Sequence, residues 1–225
     1  MPPHIAVLIP CLNEERSIAT VVADFRRALP GAVVYVYDNN SADRTGELAA
    51  GAGAVVGLEP RAGKGFTVER MFREIEAEVY VLVDGDDTYD AGAAPGMVEL
   101  LVRERLDMVI ARRCGVEAGA WPRGHRFGNA LFTRAIDALF GCRLHDVLSG
   151  YRVFSREFVK SFRGSTGGFE LETELTVHAL RRGVGIREVE TEYRARRAGS
   201  VSKLRTWVDG WRIARRIFGL VGRRK

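Results

Sequence analysis

The stretch "YVLVDGDDTYDA", residues 80–91, runs apolar as far as Val83 and then crowds Asp84, Asp86, Asp87 and Asp90 together. An apolar run of this length, rich in valine, reads as a buried strand that stops at Asp84. Like charges this close repel, so either water takes them up or something positive sits among them. Asp84 and Asp86 flank Gly85, a spacing that lets both carboxylates approach one point beyond the strand end. Such a pair suits a hard divalent cation, Mg²⁺ or Mn²⁺, which takes oxygen ligands and leaves positions for the oxygens of a diphosphate. A solvated acidic turn is the plain alternative.

The preceding sequence repeats the pattern. "HIAVLIP" and "AVVYVYD" are short β-branched runs, one followed by Asn13 and Glu14, the other closing on Asp38, Asn39 and Asn40. Between them, Ile18, Val21, Val22, Phe25 and Leu29 recur at helical spacing. "SADRTGELAAGAG" and "GKGFTVERMFREIEA" predict further helices, and "LDMVIARR" a further strand. Strand and helix alternating in this order imply an α/β chain, Rossmann-like, with a mostly parallel central sheet and helices on both faces. In such sheets ligands sit beyond the carboxyl ends of the strands, where the three polar clusters fall. The second half predicts a helix over "HRFGNALFTRAIDALFG", burying Phe127, Leu131, Ile136 and Leu139, and a strand over "IREVETEYRAR". No internal repeat, low-complexity tract or long linker interrupts the chain, so residues 1–225 are expected to form one domain.

Composition narrows the classes. Apolar residues at 46% and charged residues at 28% are those of an ordinary globular protein. No apolar window is long enough for a transmembrane helix, and "MPPHIAVLIP" lacks the basic and apolar regions of a signal peptide. Cys11, Cys114 and Cys142 form no paired motif, which points to reduced thiols and a cytoplasmic protein. The net charge of +5 is unevenly spread: residues 201–225 carry eight Lys/Arg against Asp209 alone, or +7, so residues 1–200 carry −2.

Six segments, "VLIPCLNEE", "YDNNSADRT", "RAGKGFTVERMF", "VLVDGDDTYD", "DVLSGYRVFSREF" and "GFELETEL", stand in the order found in inverting family-2 glycosyltransferases. Over about residues 5–205 the chain resembles the branch that includes dolichyl-phosphate mannosyl- and glucosyltransferases and their bacterial polyprenyl-phosphate relatives. The resemblance implies a GT-A fold, a divalent metal, a UDP- or GDP-linked sugar donor and a polyprenyl phosphate acceptor. It further implies that Pro10 and Glu14 line the nucleotide pocket, that Asp38 contacts base or ribose, and that Lys64 approaches the donor. By the same resemblance Asp84 and Asp86 are the metal pair, Asp86 the direct ligand, with Asp84 also on the donor side. The family carries a second aspartate after the one matching Asp38; here Asn39 stands there, so base preference is not inherited. Arg112 matches an arginine near the donor phosphates, with Arg113 an equal candidate because the usual Gly-Ser before it is Ile110-Ala111.

The same family segments put Asp146 at a catalytic or acceptor-site position and let Arg152 hold a phosphate, a salt bridge between the two being the alternative. An ionised lipid phosphate needs no strong base. An alcohol acceptor would need one, with Asp146 first and Glu170 or Glu172 second. Arg126, Arg196 and Lys203 are expected at the acceptor phosphate, with Arg194 and Arg197 clustered beside them.

From Leu204 to Val221, apolar residues including Trp207 and Trp211 recur every three or four positions, and arginines take the other faces. This predicts a basic amphipathic C-terminal helix lying on an anionic membrane surface, at the inner face of the cell membrane, or else docked on the core. Nucleic acid is not an expected partner, since the tail offers two tryptophans and no broader stacking surface. Three other readings stand beside the preferred one. A soluble hydroxyl acceptor would keep the donor chemistry. A sugar-phosphate nucleotidyltransferase would open with a Gly-rich loop where this chain has "PCLNEE". A non-catalytic basic module would have no use for the DGD pair.

Overall fold

The computed structural model describes residues 3–114, 125–164 and 171–196. Among the described residues seven strands form one sheet: β1 (Ile5–Cys11), β2 (Val33–Asp38), β3 (Val55–Leu58), β4 (Val79–Leu82), β5 (Met108–Cys114), β6 (Arg152–Ser155) and β7 (Ile186–Glu192). Their spatial order is β3-β2-β1-β4-β6-β5-β7. All pairings are parallel except those of β6, which runs antiparallel to both β4 and β5. The expected mostly parallel sheet is therefore present, with one reversed strand of four residues, too short to leave a periodic signal in "GYRVFSREF".

Both faces of the sheet are covered, which is why its central strands read as continuous apolar runs rather than alternating ones. In β1, Val7, Ile9 and Cys11 face the layer made by α1 (Ile18–Ala28) and α4 (Ala94–Glu104). Ala6 and Leu8 face the opposite layer, which contains α3 (Lys64–Glu74), α6 (Arg156–Ser161) and α7 (Leu171–Arg182). Helix α2 (Thr45–Gly51) packs beside α1, and α5 (His125–Phe140) brings Ile136 against Val147 and Val177.

One junction in the second layer titrates. His178 of α7 lies edge-on to Phe158 and Phe162, with Nε2 3.0 Å from the Ser161 hydroxyl. That hydroxyl spends its own hydrogen on the Phe158 carbonyl at 2.7 Å, so Nε2 is the donor. Burial, followed by the nearby Arg182 and Arg181, holds the imidazole below its ordinary value of 6.5. A base with a depressed folded pKa stabilises the fold fully above its unfolded value and loses that contribution as pH falls through the folded one. The stability advantage of the wild type over His178→Gln is therefore expected to be complete at neutral pH and to shrink below about pH 6.5. Urea denaturation of both proteins across that range measures it, and parallel pH profiles would refute it.

Candidate active site

The strand order places a topological switch between β1 and β4: from β1 the chain continues outward to β2 and β3, and from β4 the sheet extends the other way. Backbone pairing between them ends early. Leu8 is opposite Leu82, Val83 N–H donates to the Leu8 carbonyl at 3.1 Å, and the backbone ladder goes no further. Pro10, which has no N–H for a ladder, sits just past the last residue paired with β4, where a central strand tolerates it. Pro10 to Glu14 and Val83 to Asp86 thus lead away from the same end of the paired strands β1 and β4.

The loops leaving these strands are tightly held. Asn13, Asn40 and Asp87 all have positive φ, at 50°, 65° and 61°, and all three follow a strand end. Left-handed non-glycine residues persist where surrounding bonds over-determine them, and such positions gather at functional sites. Here Asn13 N–H donates to Ser41 Oγ at 2.9 Å and its Oδ1 accepts from Ala42 N–H at 2.8 Å. Asp38 Oδ1 accepts from Ser41 N–H at 2.9 Å, and Glu14 N–H donates to Thr45 Oγ1 at 2.8 Å. Gly85 is required by close approach: a Cβ there would run into Cys11 Sγ beneath it. Its carbonyl accepts from the buried Ser17 hydroxyl at 2.7 Å.

Four carboxylates converge on this region, each with a cation. Lys64, the first residue of α3, bridges Asp84 at 2.5 Å and Glu172 of α7 at 2.6 Å. Burial opposes the Asp84 charge, yet the Lys64 ammonium overrides it and holds that carboxyl below its ordinary range. Burial likewise opposes the Lys64 charge, and the two carboxylates raise its pKa regardless. Asp86 has a different balance: burial and then the nearby Asp84 push its carboxyl up. It contacts Arg196 Nη2 at 2.6 Å and the Thr88 hydroxyl at 2.6 Å. Asp146 accepts two hydrogen bonds from the Arg113 guanidinium, both at 2.7 Å, and one from Arg113 N–H at 3.1 Å. A Cβ at Gly150 would collide with the Asp84 carboxylate, so the Asp146–Gly150 loop is pressed against the pair.

Two expectations are corrected. Arg152 neither holds a phosphate nor pairs with Asp146: its side chain has no exposed surface. It starts β6 on the face covered by α7, and donates to the carbonyls of Ser149 (2.9 Å) and Val147 (2.7 Å) and to Thr176 Oγ1 (2.9 Å). Burial pushes its pKa down to about 10. Arg112 turns toward Glu190 on β7 at 3.1 Å, because successive strand residues point to opposite sides. Its neighbour Arg113 faces Asp146 and lies 5.4 Å from the Tyr193 ring centre.

Lys203, Arg197, Glu170 and the basic tail lie outside the described residues, as do the side chains of His125 and Arg126. The sequence reading also missed Glu188, whose carboxylate accepts from the backbone N–H groups of His145 (2.9 Å) and Asp146 (2.8 Å) and so anchors the Asp146 loop. Only the pairing of β5 with β7 brings it there.

Asn39 has a structural task. Its buried amide donates to the carbonyls of Glu59 (2.9 Å) and Arg61 (2.7 Å), and its Oδ1 accepts from Gly63 N–H (2.6 Å). It therefore ties the end of β2 to the loop that delivers Lys64. Asn39→Asp removes both donors and sets a carboxylate against two carbonyls. It is expected to destabilise the protein by roughly 2 kcal/mol or more, measured by urea denaturation. Wild-type stability in that variant would contradict this role.

Known proteins resemble this chain in sequence and fold. The family model described as Glycosyl transferase family 2 matches residues 6–163, from β1 through α6. The glycosyltransferase AglJ of Haloferax volcanii is 37% identical over 211 residues, covering 93% of this chain and 69% of that one. A dolichyl-phosphate hexose transferase of the same organism is 35% identical over 214 residues, covering 95% of this chain and 92% of its own length. Among solved structures, a Mycobacterium tuberculosis glucosyl-3-phosphoglycerate synthase in complex with Mn²⁺, UDP-glucose and glycerol 3-phosphate superposes with a TM-score of 0.79. At 24% identity, covering 98% of this chain and 80% of that one, it shows a shared GT-A fold. A mostly parallel sheet whose β1–β4 pairing stops short, acidic and polar residues beyond those strand ends and a family match over residues 6–163 lead to one assignment: the chain belongs to glycosyl transferase family 2.

Proposed function

We propose that this glycosyltransferase moves a hexose from a UDP- or GDP-linked donor to a polyprenyl phosphate, with inversion at the anomeric carbon. The observation that carries the choice of acceptor is the pairing of Asp84, Asp86, Asp146 and Glu172 with Lys64, Arg196 and Arg113. A bidentate Arg113 leaves Asp146 poorly placed to accept a proton, so it serves as a positioning group. An acceptor that arrives ionised suits such a site. A phosphate oxygen attacks C1 of the sugar from the face opposite the leaving group. The bond from C1 to the nucleoside diphosphate breaks, its electron pair leaves with the diphosphate, and no proton need move. Positioning and electrostatic stabilisation then supply the catalysis. The similarity to the dolichyl-phosphate hexose transferase supports the same acceptor class.

A divalent cation, Mg²⁺ or Mn²⁺, fits the donor set. Asp84 and Asp86 are hard oxygen ligands whose mutual repulsion shows in the raised Asp86 pKa, after burial, and a cation between them relieves it. Among the described residues no group of three or more His, Cys, Asp or Glu stands together as a full protein cage. A carboxylate pair completed by phosphate oxygens suits these ions, and when bound the metal would offset charge on the departing diphosphate. Pro10, Glu14 and Asp38 are assigned to the nucleotide side, Lys64 and the N-terminus of α3 to the diphosphate, and Arg113 in place of Arg112 to the region between donor and acceptor. Arg196 is assigned to the acceptor phosphate, with Arg126 and Lys203 as its companions. The basic tail is assigned to an anionic membrane surface, which flotation with anionic liposomes tests directly.

The deciding assay incubates the protein with labelled UDP-glucose or GDP-mannose, Mg²⁺ or Mn²⁺, and a short polyprenyl phosphate in detergent. Metal-dependent label in the organic phase is the expected result. Label on a soluble hydroxyl acceptor alone would favour the second reading, which the glycerol 3-phosphate complex of the mycobacterial synthase motivates.

A further inference from the structure

The Asp86 carboxylate and the guanidinium that holds it differ sharply in their access to water. Asp86 is 4% exposed at its side chain and Arg196 is 29% exposed. The arginine can leave into solvent; the carboxylate, buried beside Asp84, cannot. Arg196 is also delivered to this spot by a tether. Tyr193 pairs with Tyr89 across an isolated bridge, their rings 5.1 Å apart, and Arg194 N–H donates to the Thr88 carbonyl at 2.8 Å. The chain is therefore pinned two residues before Arg196 to a point two residues after Asp86. A tethered cation competes as an intramolecular ligand, at high effective concentration, with any free cation.

We propose that Arg196 is an internal counterion for Asp86 that a divalent cation must displace, so that this residue sets how tightly the metal is held before donor arrives. The proposal rests on the reading of Asp84 and Asp86 as the metal pair. Displacement leaves the guanidinium on its tether beside Asp86, where an incoming phosphate meets it. Metal and nucleoside diphosphate together compensate for the lost ion pair; metal alone does so less well.

The test titrates Mn²⁺ into the metal-free 225-residue chain at fixed ionic strength and counts free ion by electron paramagnetic resonance, with and without UDP or GDP. Without nucleotide, Arg196→Gln is expected to bind Mn²⁺ about tenfold more tightly than wild type, the worth of one charge-assisted hydrogen bond. The gap is expected to narrow with nucleotide present. Arg194→Gln removes the same charge two residues away and is expected to match wild type, which separates displacement from the general field. Circular dichroism confirms folding of each variant. Equal affinity of wild type and Arg196→Gln, or equal tightening by both variants, overturns the proposal while leaving the metal pair in place. Mn²⁺ binding by none of the three proteins, with or without nucleotide, removes the metal reading and the proposal with it.

Discussion

Asp86→Asn is expected to weaken Mn²⁺-dependent binding of UDP- or GDP-sugar by on the order of 100-fold or more, beyond the roughly 10–100-fold typical of losing an outer-shell partner. The substitution keeps size and shape and removes one negative charge. In the metal-free protein that charge is held unfavourably, since burial and Asp84 both oppose it. Its loss costs the ion pair with Arg196, but the guanidinium is part-exposed and returns to water. The two changes offset, so the metal-free thermal midpoint should move by no more than about 3 °C, the equivalent of roughly 1 kcal/mol in a chain this long. Calorimetry with and without Mn²⁺, beside a thermal melt, reads both quantities. An unchanged metal-dependent affinity would take Asp86 out of the metal site; a collapse of the melt would show that the residue serves the fold instead.

Lys64→Met should differ by lowering stability as well. Lys64 lies between the part-exposed Asp84 carboxylate, 2.5 Å away on the β4 side, and the buried Glu172 carboxylate, 2.6 Å away on α7. Removing one partner of a buried ion pair leaves the other charge uncompensated, a loss of about 3 kcal/mol or more. The thermal midpoint should fall by roughly 6–12 °C. Position adds to the argument. A lysine at the first position of a helix opposes the helix dipole, so local preference does not explain it. The pairing with Asp84 and Glu172 does, and Gly63, at φ 138°, shapes the turn that delivers it. Donor affinity should fall together with stability, because Asp84 loses the group that keeps it ionised and in place. A Lys64→Met protein with wild-type midpoint would mean that the two carboxylates find water or protons at no expense, and the closed arrangement of α3, β4 and α7 would be misjudged.

Much of this molecule is legible along the chain. The strands β1, β2, β4 and β5 announce themselves because β-branched residues in short runs fill both faces of a covered sheet. The acidic and polar strand ends are equally visible, since Asp84 and Asp86 need only Gly85 between them to share a site. Strand β6 escaped notice because four residues carry no period, and β3 because its apolar residues Val55, Val56 and Leu58 stand exposed at a sheet edge. The choice between Arg112 and Arg113 turned on the parity of one strand. Arg152 read as a phosphate ligand because an arginine in a motif carries no mark of its burial.

Local sequence alone thus determined the layered α/β plan and the place where acidic groups would gather, because period and turn chemistry act over a few residues. Tertiary structure decided the partners. Lys64 meets Glu172 across 108 positions of chain, and Asp146 meets Arg113 across 33. Arg196 reaches Asp86 only because Tyr193 and Arg194 fold back on Tyr89 and Thr88. Charge pairing is set by distance in space, and spacing along a chain does not encode that distance until the sheet order brings the strand ends together.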